Sequence, residues 1–231
     1  MRILITGASK GIGAAIAAEL AQDANVLMLV ARSADLLSSV KAEIEANTNC
    51  RVEMTVCDVA DEAAVDDLMN VMETEHGGLD ILVNCAGFAI PATAVQETTP
   101  EIWQEMFRVN VFSAYLMTRA AIPLLAAGKT PSIVNIGSTA GISARPGWSA
   151  YAASKAAMVN FSNTMAEELK PYGIRVHCLA PGRTATELRR VLAPDEDPST
   201  IMQPEAVARI ARFLVSSDAD VISGQTIQVR Q

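Results

Sequence analysis

The stretch "RILITGASKGIGAAIAAEL", Arg2 to Leu20, decides the fold. It opens as a short apolar run, "RILIT", of the kind that forms a buried strand. Three glycines follow, Gly7, Gly11 and Gly13, and then an alanine-rich stretch of helical character. A strand that turns at once into a helix needs backbone without Cβ at the turn, and the free N–H groups of the first helical turn then face an anion. A dinucleotide pyrophosphate is the usual occupant. Glycine spacing alone is weak evidence, but the strand before it and the helix after it supply the required context. The spacing is G-x-x-x-G-x-G, which differs from the ordinary G-x-G-x-x-G fingerprint.

Outward from this unit the pattern repeats. Strand candidates are "NVLMLVA", "RVEMTVC", "DILVNCA", "SIVNIGS", "IRVHCLA" and "TIQVR"; helical stretches lie between them, among them "EAAVDDLMNVMETE" and "YAASKAAMVNFSNTMAEELK". Near-continuous apolar strands alternating with helices predict an α/β domain, a parallel sheet covered on both faces. At 231 residues, half of them apolar, the chain suits a single domain, residues 1–231. Leu188 to Pro204, rich in proline and charge, departs from the pattern. It reads either as a flap over a site, at about residues 186–204, or as a solvated connector.

The net charge of −8 excludes a nucleic-acid partner and a polybasic membrane contact as expectations. No apolar run approaches a membrane span, and "MRILITG" is interrupted too soon for a targeting segment. Cys50, Cys57, Cys85 and Cys178 are far apart in apolar surroundings and only two histidines occur, so no metal site is expected. Reduced, buried thiols and a cytoplasmic location are the economical reading.

The end of the second strand reads "LVARSADLL". Ala31 stands where an acidic residue would bond the 2′-hydroxyl of NAD, followed by Arg32 and Ser33, and Lys10 adds a cation in the glycine loop. Arginine at this place accommodates a 2′-phosphate, which predicts NADP(H) in preference to NAD(H).

With these motifs the chain resembles the short-chain dehydrogenase/reductase family over essentially its whole length. "TGASKGIG", with Gly7, Ser9, Lys10, Gly11, Ile12 and Gly13, is similar to the family's cofactor loop, and Asp58-Val59 to the pair that holds the adenine ring. "NCAG", with Asn84, Ala86 and Gly87, resembles the family's N-N-A-G turn with Cys85 in place of an asparagine. Asn110, Ser138, Tyr151 and Lys155 match the catalytic tetrad in order. "PGRTATEL", with Pro181, Gly182, Thr184 and Thr186, resembles the segment that holds the nicotinamide carboxamide. The resemblance implies a Rossmann-type doubly wound sheet of seven parallel strands in the order 3-2-1-4-5-6-7. It also implies carbonyl reduction to an alcohol by hydride transfer.

Tyr151 and Lys155, at i and i+4, share one helix face. A free phenol has a pKa of about 10, and a neighbouring ammonium favours the phenolate. Tyr151 is thus the expected acid in reduction and base in oxidation, and Lys155 the group that lowers its pKa and, by the resemblance, bonds the nicotinamide ribose. Ser138 is expected to bond the substrate carbonyl and Asn110 to support a water-linked proton relay beside Lys155. His177 is expected to be structural, and Trp148 either lines a pocket or simply packs. No G-x-S-x-G elbow surrounds Ser138, which disfavours a hydrolase.

For the substrate, Arg145, Arg183, Arg189 and Arg190 lie about the flap, where guanidinium groups could hold a phosphate, or could be solvated or meet a neighbouring subunit. A small polar or anionic carbonyl compound is the expectation. The alternatives by resemblance are a 3-oxoacyl-thioester (acyl-carrier-protein) reductase and a ribulose 5-phosphate-type polyol-phosphate reductase, and more remotely a non-enzymatic dinucleotide sensor. The resemblance also implies a homotetramer, or a homodimer.

Overall fold

In the computed structural model, which describes residues 1–230, strands and helices alternate from end to end. Gln231, the last residue of the expected 1–231 domain, lies outside the described residues. The strands are β1 (Arg2–Thr6), β2 (Val26–Ala31), β3 (Arg51–Val56), β4 (Ile81–Asn84), β5 (Ser132–Ile136), β6 (Arg175–Pro181) and β7 (Thr226–Val229). All pair in parallel, in the order β3-β2-β1-β4-β5-β6-β7. The expected sheet is therefore the observed one, a single doubly wound domain.

The helices are α1 (Gly11–Leu20), α2 (Ala34–Asn47), α3 (Glu62–His76), α4 (Pro100–Phe107), α5 (Ser113–Ala126), α6 (Ser149–Glu168), α7 (Glu187–Leu192) and α8 (Pro204–Val215). Successive strand residues point to opposite faces, so each strand feeds two cores. Ile3, Leu27, Val52 and Val134 pack with Ile16, Leu37 and Leu214 of α1, α2 and α8. Leu4, Met28, Leu82 and Ile133 pack on the other face with Leu68, Leu116 and Ala166 of α3, α5 and α6. Both faces being buried explains why the strands read as continuous apolar runs.

At the N-terminal ends of the strands, Arg2 and Asp80 staple β1 to β4. The Arg2 backbone N–H donates to Asp80 Oδ2 at 2.8 Å and its Nη2 to Oδ1 at 2.8 Å. Burial works to raise the Asp80 carboxyl, but the Arg2 side chain and the N–H groups of Arg2 and Lys129 outweigh it and hold the pKa at about 2.

Two sequence expectations are refined. A π-helical turn, Arg108–Phe112, joins α4 to α5, and the continuous helix Pro100–Ala126 has the length and mean hydropathy of a membrane span. Half of its most apolar window is buried within the domain. And Glu53, Glu75 and His76 do gather their ligand atoms within 4.8 Å of one another near the end of α3, where Glu53 is already paired with Arg51 and lies 3.0 Å from His76 Nε2. Cys50, Cys57 and Cys178 are buried free thiols, whereas Cys85 is only half-buried. His177 is wholly buried in β6, and burial together with the Arg175 charge pushes its pKa down to about 4.

Candidate active site

The chain crosses from β3 at one edge to β4 beside β1, and the two halves of the sheet part at the C-terminal ends of β1 and β4. A crevice at such a reversal is where open α/β sheets take ligands. Here it opens as a cavity of about 360 Å³.

Its floor is the glycine loop. Gly7 has φ +64°, and a Cβ on it would meet the Ala86 backbone at 2.9 Å; a Cβ on Gly13 would stand 2.2 Å from the Gly7 carbonyl oxygen. Only glycine lets β1, α1 and the β4 turn approach this closely. Lys10, at the start of α1, provides no side-chain cap, so the first-turn N–H groups lack a side-chain acceptor and suit an anion from outside the chain. This fits the pyrophosphate of a dinucleotide.

One end is walled by Ala31, Arg32, Ser33, Asp58 and Val59, the residues expected about an adenosine. Arg32 is exposed and forms no ion pair among the described residues. Asp58 is held by a residue that the sequence did not single out: Arg108 Nη1 donates to its Oδ2 at 3.0 Å, while Arg108 Nε donates to Glu105 at 2.7 Å. Burial opposes ionisation of Asp58, but the Ala60 N–H and Arg108 hold its carboxyl below the usual range. Lys10 is engaged with Glu187 at the start of α7, a pair bridging the glycine loop and the 186–204 segment.

At the other end Ser138, Tyr151 and Lys155 share one wall with Cys85, Ala86, Gly87, Pro181, Gly182, Thr184 and Thr186. Gly141 closes the turn after Ser138 onto α6, where a Cβ would strike the Lys155 carbonyl carbon at 2.5 Å. That contact sets Ser138 beside Tyr151. Lys155 Nζ donates to the Ile136 carbonyl at 2.8 Å and lies 6.0 Å from the Tyr151 ring centre. Burial lowers the pKa of Lys155.

The phenol departs from expectation. Burial pushes Tyr151 up to about 12, and the groups drawing it down are Ser138 and Arg189 rather than Lys155. The Lys155 ammonium bonds the Ile136 carbonyl instead of the phenol.

Three further positions are corrected. Asn84, expected at the cofactor, is buried inside the sheet, donating to Asn135 Oδ1 at 2.9 Å and Thr118 Oγ1 at 3.3 Å. Asn110 does not line the cavity either. Its Oδ1 accepts from the Phe88 N–H at 2.7 Å, and its Nδ2 donates to the Phe88 carbonyl and Ser154 Oγ, both at 3.0 Å. Ser154 in turn donates to the Tyr151 carbonyl at 2.8 Å, so Asn110 reaches α6 through Ser154 rather than standing free beside Lys155. Arg190 does not line the cavity; it borders the adjoining groove between α1 and α7, which Arg189 borders too. Arg145, Trp148, Arg183 and Arg189 do line the cavity.

The family model for short chain dehydrogenases matches residues 1–197. The chain belongs to the short chain dehydrogenase family. It is 34% identical over 236 residues to dehydrogenase/reductase SDR family member 4 of Homo sapiens, covering 98% of this chain and 84% of that protein. A short chain dehydrogenase of Shigella flexneri complexed with NADP superposes with a TM-score of 0.93 at 29% identity, covering 98% of this chain and 95% of the other. A 3-ketoacyl-(acyl-carrier-protein) reductase of Brucella melitensis complexed with NADH gives 0.91 at 31%, covering 99% and 96%. This short chain dehydrogenase is thus an oxidoreductase by family. The sequence pattern marks most of its cavity wall; Cys85 and Glu187 also line it, and Arg108 and Glu196, which do not, hold lining residues in place. Arg108 and Glu187 act through partners remote in the chain, Asp58 and Lys10, whereas Glu196 acts on Arg189 only seven residues away; none of the three carries a motif. Cys85 stands inside the "NCAG" motif in place of an asparagine and borders the cavity.

Proposed function

We propose that this short chain dehydrogenase uses NADP(H) to reduce a small polar or anionic carbonyl compound to its alcohol, with Tyr151 as proton donor. One observation carries the reading: Ser138, Tyr151 and Lys155 stand together on one wall of the cavity whose floor is the glycine loop. The dinucleotide, when bound, supplies the hydride. Gly7 to Gly13 would hold its pyrophosphate, Asp58 and Val59 its adenine, Arg32, Ser33 and Lys10 a 2′-phosphate, and Ala86, Gly87 and Pro181 to Thr186 its nicotinamide end. Ser138 orients the substrate carbonyl, Tyr151 gives its phenolic proton to the carbonyl oxygen, and Lys155 bonds the ribose. Asn110 positions α6 through Ser154. A phenol held near 12 stays protonated at neutral pH, which suits an acid.

The test follows NADPH and NADH oxidation against a panel of carbonyl compounds. Tyr151→Phe should cut turnover by roughly a hundred- to ten-thousand-fold while NADPH affinity holds; a non-enzymatic sensor would keep its function. Reduction should be level across neutral pH, and alcohol oxidation should rise as the medium turns alkaline. Arg32→Ala should reduce the preference for NADPH over NADH at least about tenfold, the loss of one charge-assisted contact. Equal use of both cofactors by the unaltered protein would remove the NADP(H) assignment.

The Brucella relative's activity makes 3-oxoacyl-thioester reduction the second reading, and the arginines at the cavity favour a phosphosugar such as ribulose 5-phosphate as a third. We place the protein in the reducing cytoplasm on its free thiols, and read the 186–204 segment as a flap. We also infer a homotetramer, or a homodimer. Phe112 and Tyr115, exposed on the long helix, would be covered by such assembly.

A further inference from the structure

The substrate end of the cavity carries a charge arrangement that the reaction itself does not require. Arg189 is largely buried, and Glu196 grips it along one edge: Nε donates to Oε2 at 2.5 Å and Nη2 to Oε1 at 2.9 Å. Two parallel bonds fix the plane of a guanidinium as well as its place. They leave Nη1 without a hydrogen-bond partner among the described residues. The guanidinium carbon sits 5.3 Å from the centre of the Trp148 ring, and Trp148 meets Tyr151 edge-on at 6.2 Å. The charge is near enough to Tyr151 to draw its pKa down against the effect of burial.

Charge balance points the same way. Arg183 Nη1 also donates to Glu196, at 3.2 Å, so two guanidiniums share one carboxylate. Arg145 joins them at the cavity, bonded only to the Ala144 carbonyl at 3.5 Å. In a chain of net charge −8, this is a local excess of positive charge around an oriented donor. A neutral ketone leaves that donor idle, whereas an anion on the substrate satisfies it. Sites discriminate most sharply when their fixed polar groups would otherwise stay unpaired.

We propose that Arg189, oriented by Glu196 and backed by Trp148, reserves the site for compact carbonyl substrates bearing a carboxylate or phosphate close to the reacting carbon. Arg189 touches that anion, and Glu196 is its positioning residue. This deepens the carbonyl-reductase reading and rests on it. The cavity also has to serve the dinucleotide, so the part left to the substrate is small.

The experiment compares matched pairs with saturating NADPH: acetoacetate against methyl acetoacetate, and dihydroxyacetone phosphate against dihydroxyacetone. The unaltered protein should favour at least one anionic member by about ten- to a hundredfold in kcat/KM, the range of a charge-assisted bond; the pair that responds tells carboxylate from phosphate. Arg189→Gln should bring that ratio towards one, chiefly through KM. Arg189→Lys, which keeps the charge but not the fork, should restore part of it. Glu196→Gln should lower the ratio several-fold, with KM moving more than kcat. A ratio near one in the unaltered protein, or the same ratio in Arg189→Gln, overturns the proposal.

If none of the four compounds turns over, the reductase reading loses its support for small carbonyls, and binding decides the inference separately. Tryptophan fluorescence is followed while 3-hydroxybutyrate or glycerol 1-phosphate is added to the protein with NADP present. A response lost in Arg189→Gln and partly regained in Arg189→Lys sustains the proposal. An equal response in all three proteins, or none in the unaltered protein, overturns it.

Discussion

At the glycine loop the cavity wall is backbone against backbone. Gly13 lies so near the Gly7 carbonyl, and Gly7 so near Ala86, that no side-chain atom fits between them. Along the 186–204 segment the wall is charge against charge: Arg189 and Arg183 on Glu196, and Glu187 on Lys10 of the glycine loop. Backbone packing is indifferent to salt and tolerates no added atom. Ion pairs that are partly exposed can be screened or exchanged for a ligand. The first arrangement suits a partner that never varies, such as a pyrophosphate, and the second suits the flap proposed for residues 186–204.

The largest effect should come from breaking the packed end. Gly13→Ala places a methyl group 2.2 Å from a carbonyl oxygen with only backbone to give way. We expect a loss of about 2 to 3 kcal/mol in urea unfolding, together with loss of NADPH binding. Unfolding at the parent midpoint would show the loop to be softer than its contacts imply.

A smaller effect should follow from weakening the same half away from the cavity. Asp80 has a pKa of about 2 in the folded chain, against about 3.9 unfolded. A depressed carboxyl stabilises the fold above its unfolded pKa, and that contribution fades as pH falls from about 4 towards 2. Asp80→Asn should therefore cost about 2 kcal/mol near neutrality and flatten the acid limb of the stability curve, with turnover at pH 7 unaltered while the protein is folded. An unchanged acid limb would mean that Arg2 holds its partner without favouring the charged form.

Smallest of all should be Glu187→Gln at the charge-held end. Both partners of the Lys10–Glu187 pair are more than half exposed. Freeing Lys10 should tighten NADPH binding by less than about fivefold, and the gain should vanish at high salt. A gain that persists at high salt would assign Glu187 more than a screened contact.

What could be read from the chain divides along the same line. Strands and glycine loop were legible because their determinants are local: apolar runs, turn glycines and the order in which they come. The Tyr151–Lys155 pair was legible too, through helical spacing and resemblance. The Asp58–Arg108 contact, spanning fifty positions, left no local trace. Asn84 reads as a cofactor residue because it stands in the "NCAG" turn, and Ala86 and Gly87 of that turn do line the cavity, yet its own side chain turns into the sheet. That Arg189 and not Arg190 reaches the cavity depends on how a short helix is set against it. The phenol's upward shift depends on what surrounds it in three dimensions, and spacing from Lys155 spoke only for the opposing influence.

The π-helical turn at Arg108–Phe112 has a wider consequence. Such a turn is in effect an α-helix carrying one surplus residue, and here the surplus falls where Arg108 reaches Asp58 and Asn110 reaches Phe88 and Ser154. The two ends of the cavity are thereby geared to a single irregularity five residues long. A deletion there would return the helix to an even winding while α4 and α5 kept their faces, leaving the architecture standing and both of its grips mis-set.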